Sequence, residues 1–151
     1  MAIIRGKLEF QNVITMHTRS IYGKWQEQAM QLRSFIIKNN LFITGPVMVR
    51  WGKIDEATKE ADLTVYLPTF QKLQFPKNDT FSYQETFLIE DGLKIRQTSA
   101  NDDIAATEAL LAVMAEKAAL KLQKPYYYIY LPVFGEYILD IYAPVEEGVN
   151  P

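Results

Sequence analysis

The stretch Thr64-Val-Tyr-Leu-Pro68 returns late in the chain as Asp140-Ile-Tyr-Ala-Pro144, and it does not return alone. Each copy follows another proline-started apolar run, Pro46-Val-Met-Val-Arg-Trp51 and Pro125-Tyr-Tyr-Tyr-Ile-Tyr130. Before each run lies a segment with helical spacing, and before each helix a segment that alternates like a strand. The order strand, helix, strand, strand is therefore written twice. A repeated unit that buries one face must put its helices and strands to the same use in both copies, which leaves few folds open.

Composition narrows the class. The 151 residues suit one compact domain, expected to consist of two repeats, 7–70 and 81–145, joined by a linker at 71–80. Apolar residues make up 48%, enough for a core. The net charge is −2 and no Lys/Arg cluster stands out, which argues against nucleic acid. No apolar run reaches membrane-spanning length, and Met1-Ala-Ile-Ile-Arg-Gly-Lys has no leader-like stretch, so the chain reads as cytoplasmic. With no cysteine and a single histidine, disulfides and thiolate or histidine-rich metal sites are excluded, and no cofactor is expected. Nine tyrosines, crowded towards the C-terminal end, are the compositional oddity.

Along the chain, a strand is expected from Lys7 to Thr18, with Ile14 and Met16 on one face and Val13, Thr15 and His17 on the other. Ser20 is placed to cap a helix whose stripe is Trp25, Ala29, Leu32 and Ile36. Strands follow to about Lys53 and over Leu63 to Phe70, with a charged loop from Asp55 to Asp62 between them. Pro76 marks the linker. The second repeat reads as strands Phe81 to Ile89 and Leu93 to Thr98 around a tight Asp91-Gly92 turn. Asn101 is expected to cap a helix with Ile104, Leu111, Ala115, Ala118 and Leu122 on one face and Lys117, Lys121 and Lys124 near its end. Strands Tyr126 to Val133 and Glu136 to Val145 close it through Phe134-Gly135, and the tail Glu146 to Pro151 should be loose. The class is α+β: a duplicated strand–helix–strand–strand module, a continuous antiparallel sheet, both helices on one face and a groove on the other.

In element order, in Gly45-Pro46 after the first helix, and in the strands ending on Tyr-Leu-Pro68 and Tyr-Ala-Pro144, the chain from Leu8 to Val145 resembles the GyrI-like, or AraC effector-binding, superfamily. It is similar within it to an uncharacterised Gram-positive branch, some of whose members are encoded near secreted-toxin genes. The resemblance implies a cup that holds a small molecule. It also implies a Glu-Ile-Tyr on the strand after the second helix, where this chain has Tyr128-Ile129-Tyr130. The glutamate that serves cationic ligands is thus replaced by Tyr128. By the same pattern the open face carries Trp51, Tyr66, Tyr128, Tyr130, Asp140 and Tyr142, an aromatic-lined site with one carboxylate, while His17, Lys94 and Arg96 could reach it.

Three functions compete. The first is a non-catalytic module holding a small hydrophobic or aromatic ligand, for which tyrosines supply flat apolar area and hydroxyls. The second is a protein-interaction or neutralising factor for a partner protein, in keeping with the toxin-cluster resemblance. The third, a small-molecule hydrolase, would use Asp140 as base and Tyr128 or Tyr130 as proton donor, and needs Asp140 buried. No glycine-rich phosphate loop or nucleophile motif favours catalysis. Each candidate also has a plain structural reading, since aromatics favour strands and a lone strand aspartate is commonly paired. Monomer and homodimer are both compatible with unpaired outer strands.

Overall fold

The computed structural model describes residues 2–74 and 78–146. The element order is β1 (Ile3–Ile21), α1 (Gln26–Lys38), β2 (Val47–Trp51), β3 (Glu60–Pro68), then β4 (Phe81–Gln97), α2 (Ile104–Lys117), β5 (Tyr127–Val133) and β6 (Glu136–Pro144). The duplicated α+β module is thus present in full. The chain divides into two compact units, residues 9–87 and residues 1–8 with 88–151, so β1 and β4 each contribute to both. Linker residue Pro76 and tail residues 147–151 lie outside the described residues.

In the first unit β3 pairs antiparallel with both β1 and β2, with Val65 opposite Met16 and Val49. In the second, β6 pairs with β4 and β5, with Ile141 opposite Ile95 and Tyr128. The two registers are equivalent: Val13 faces Pro68 as Gly92 faces Pro144, and Met48 faces Tyr66 as Tyr127 faces Tyr142. Loop hydrogen bonds repeat with them. Leu41 N–H donates to the Ile36 carbonyl as Leu120 does to Ala115, and Thr44 to Pro68 as Gln123 does to Pro144. Thr69 donates to Asn12 as Val145 does to Asp91, and Phe70 to Phe42 as Glu146 does to Lys121. Even the left-handed residue after each helix recurs, Asn40 at φ 59° and Ala119 at φ 55°. One constant offset carries β1, α1 and β2 onto β4, α2 and β5. It places Leu32 on Leu111, Ile36 on Ala115 and, at the next turn back, Ala29 on Glu108.

Each helix is held by its buried stripe. Ala29, Leu32 and Ile36 anchor α1, with Trp25 buried at its start. Thr107, Leu111 and Ala115 anchor α2. Several local expectations are corrected. Ser20 lies in β1 and donates to the Lys24 carbonyl at 2.9 Å, so α1 starts at Trp25 without a side-chain cap. Asp103, not Asn101, caps α2, its carboxylate accepting from Ala106 N–H. The left-handed Ala119 ends α2, which leaves Lys121 and Lys124 beyond it. The turn expected at Asp91-Gly92 does not exist, because β4 runs straight through. Gly92 is required for another reason: the Tyr142 ring lies where a β-carbon would stand. Phe134 and Gly135, both at positive φ, make the expected tight turn.

Candidate functional site

Residues directly opposite in an antiparallel pair project to the same side of the sheet. This splits the six residues expected to share a face. On β5 and β6, Tyr128 lies opposite Ile141 and Tyr130 opposite Leu139, whereas Asp140 lies opposite Ile129 and Tyr142 opposite Tyr127. The Tyr128 hydroxyl donates to the Glu108 carboxylate on α2, which fixes that side as the one beneath the helix. Tyr126, Tyr128 and Tyr130 therefore pave the helix side together with Leu139, Ile141 and Ala143. Asp140 and Tyr142 project to the far side with Lys94 and Arg96, which lie opposite Tyr142 and Asp140. In the first unit the same register puts Trp51 with Leu63 and Val65, and Tyr66 with Thr15 and Met48 on the other side. The common face is thus corrected to two groups of three.

All six are buried. On the far side Arg96 grips Asp140 through two hydrogen bonds of 2.7 and 2.9 Å. The equivalent contact in the first copy is Thr64 against His17 at 3.3 Å. With both oxygens engaged by a guanidinium, Asp140 is an ion-pair partner. It lies across the sheet from Tyr128 and Tyr130, so it forms no acid–base pair with either, and the hydrolase constellation is not assembled. Tyr142 donates to the Gly6 carbonyl at 2.7 Å, and its phenol is pushed up to about 12 by burial and then by the negative charge of Asp91. Tyr66 packs edge-on against Phe87 at 5.2 Å, and Trp51 lies against Tyr22 at 5.1 Å with the rings tilted by 50°.

The helix side of the second unit holds the unusual chemistry. At positions where the first copy has Val47, Val49 and Ala29, the second has Tyr126, Tyr128 and Glu108. Three aliphatic positions have become a carboxylate and two phenols. Burial, then the nearby charge of Glu108, pushes the Tyr126 phenol above its ordinary value. The ammonium of Lys124 stands 5.8 Å from the Tyr126 ring centroid, so this ring already takes a cation. Tyr130 packs edge-on to Tyr137 at 6.0 Å. On the same side, Gln97 is fully buried and donates to the carbonyls of Ser99 and Asp102, while its side-chain oxygen has no partner. Glu108 escaped the sequence reading, although a signal existed: it interrupts the stripe Ile104, Leu111, Ala115 at helical spacing. Among the described residues no group of three or more metal-ligating side chains occurs, and no helix is long and apolar enough to cross a membrane.

The fold has solved counterparts. The EcmrR C-terminal domain matches with a TM-score of 0.69 at 13% identity, covering 98% of this chain and 100% of that one. A hydrolase from Listeria innocua matches at 0.59 and 9% identity, with coverages of 94% and 91%. SAV2435 bound to tetraphenylphosphonium matches at 0.50 and 12% identity, with coverages of 97% and 95%. At these identities the likeness is one of fold, and it fits the GyrI-like architecture expected from the sequence. No curated protein matches. Residues 9–147 match the family described as a domain of unknown function, DUF5085, and the chain belongs to that family.

Proposed function

We propose that the protein is a non-catalytic binding module for a small aromatic or amphipathic ligand, held in the second repeat between α2 and the tyrosine-bearing strand β5. One observation carries this reading. The two copies share backbone and register, yet the second replaces Val47, Val49 and Ala29 with Tyr126, Tyr128 and Glu108. Packing alone does not call for that change, since the first copy meets the same geometry with aliphatic side chains. Rings with hydroxyls beside a carboxylate suit recognition of a flat, partly polar molecule. Support comes from SAV2435, a structural counterpart bound to an aromatic cation.

The test is a thermal-shift panel of planar aromatic amphiphiles on the wild type and on a variant that restores the first copy's chemistry, Tyr126→Val, Tyr128→Val and Glu108→Ala together. At least one compound class should stabilise the wild type and leave the folded variant unmoved. A panel without effect on the wild type, or equal shifts in both proteins, would refute the reading. A protein-interaction role is favoured by a different observation: Leu110, Val113 and Met114 on α2 are 47%, 50% and 44% exposed. That role predicts a stoichiometric partner in pull-downs, lost on Val113→Glu.

A further inference from the structure

We infer that the outer face of α1 is the self-contact of a two-fold dimer, in which the α1 helices of two copies of this chain lie antiparallel. The inference concerns the first repeat and does not rest on the binding site proposed for the second. Opposite its buried stripe, α1 carries a shallow open groove lined by Glu27, Met30, Gln31, Ser34, Phe35 and Lys38. Phe35 stacks on Phe81 with ring centroids 4.8 Å apart and planes 12° from parallel, which holds one wall of the groove in place. Met30 is 66% exposed, and Ile37, about two turns further along the same side, is 59% exposed. Contiguous apolar side chains on an outward helix face mark a contact surface.

The order of the six groove residues specifies the occupant. A two-fold axis crossing α1 between Leu32 and Arg33 exchanges Glu27 with Lys38, Met30 with Phe35 and Gln31 with Ser34. Each exchange joins groups that attract: a carboxylate and an ammonium, two apolar side chains, an amide and a hydroxyl. The axis falls at the middle of the helix, which runs Gln26–Lys38, so its whole length is used. Glu27, Gln31, Ser34 and Lys38 follow one another at steps of four, three and four, the spacing of a seam between paired helices. Among the described residues no ion pair within the chain engages Glu27 or Lys38. Parallel helices would set like charge against like at both ends, so the charges select the antiparallel arrangement. The second repeat lacks this order, since Ala106 stands in α2 where α1 has Glu27. A contact of α2 with itself therefore gains no such ion pair. Exposed ion pairs are individually weak, so the charges set direction and register while the apolar pairs supply attraction. A face one helix wide falls short of the roughly 800 Å² per partner of a standard interface. The dimer is accordingly a reversible one, forming at about 10–500 µM.

Sedimentation equilibrium over that range, at about 50 and 500 mM salt, tests the contact. Glu27→Lys and Lys38→Glu lie on an exposed face, and circular dichroism should show both folded. Each alone sets like charges across the axis and should weaken the dimer about tenfold or more at low salt. An equimolar mixture of the two variants again sets opposite charges across the axis at both ends. It should associate within about threefold of the wild type. High salt should tighten the association of each variant measured alone, because the repulsion is screened. A wild type that stays monomeric throughout, single variants that dimerise like the wild type, a mixture no tighter than its components, or single variants that salt does not tighten would each overturn the inference.

Discussion

Raising the pH through the tyrosine range isolates one side chain. Tyr142 is 2% exposed, its hydroxyl is bonded to the Gly6 carbonyl, and its ionisation is pushed up to about 12. In an unfolded chain a tyrosine ionises near 10. The folded value is the raised one, so the stabilisation is whole below pH 10 and is lost as the pH climbs from 10 to 12. Two units correspond to about 2.7 kcal/mol, a ceiling that any water reaching the ring lowers by screening. By pH 11 about 1.4 kcal/mol of it should be gone, because the unfolded chain is largely ionised there and the folded one is not.

Urea unfolding of the wild type and of Tyr142→Phe at pH 9 and pH 11 measures this. At pH 9 the variant should be less stable by about 1–3 kcal/mol, since the Gly6 carbonyl loses its donor. Between the two pH values the wild type should fall by about 1.4 kcal/mol more than the variant, so the two stabilities converge. Tyr126, whose ionisation is also raised, is present in both proteins and cancels in the difference. Parallel declines would refute the assignment of the alkaline sensitivity to Tyr142.

Gly92→Ala should cost about 1–3 kcal/mol by overpacking, because its methyl group meets the buried Tyr142 ring; a loss below about 0.5 kcal/mol in urea melts would show that the ring moves aside freely. Amide exchange should be faster in α2 than in α1, since Ala115 stands where α1 buries Ile36, a deficit of roughly 2 kcal/mol of apolar burial at about 0.8 per methylene; equal protection of Leu111 and Leu32 would contradict this. Hydrogen bonds from the Arg5 guanidinium hold the Asp91 carboxyl below its ordinary range. That pair should stabilise the fold above about pH 4 and lose its effect as the pH falls below it, so the acid limb of the unfolding curve should be shallower in Asp91→Asn; an unchanged limb would remove the pair from the account.

The duplication was legible because apolar spacing reports burial in both copies, and the helix stripes at Trp25 to Ile36 and at Leu111 and Ala115 follow from it directly. Two kinds of information were not in the pattern. Alternation tells which residues of one strand share a side, but relating one strand to the next needs the pairing register. That is why Tyr128 and Tyr130 were grouped with Asp140 and Tyr142, which project the other way. Asp91-Gly92 has the chemistry of a tight turn, yet the glycine answers to a ring from the adjacent strand, a contact distant in sequence. Ser20 and Asn101 are good caps by type, but the caps depend on where the chain leaves the preceding strand.

The internal repeat also supplies a control that most single chains lack. Backbone hydrogen bonds match from copy to copy through four pairs of loop contacts, so the frame has been kept while side chains changed. Where such a change exchanges one apolar residue for another, as from Ile36 to Ala115, packing suffices to explain it. The exchange at Ala29, Val47 and Val49 is of another kind. Glu108 stands partly buried on α2, with the Tyr128 hydroxyl donating to its carboxylate. A frame with an aliphatic solution in its first copy carries a polar one in its second. Recognition of a partly polar ligand, the role proposed for this repeat, accounts for a carboxylate and two phenols where aliphatic packing would serve.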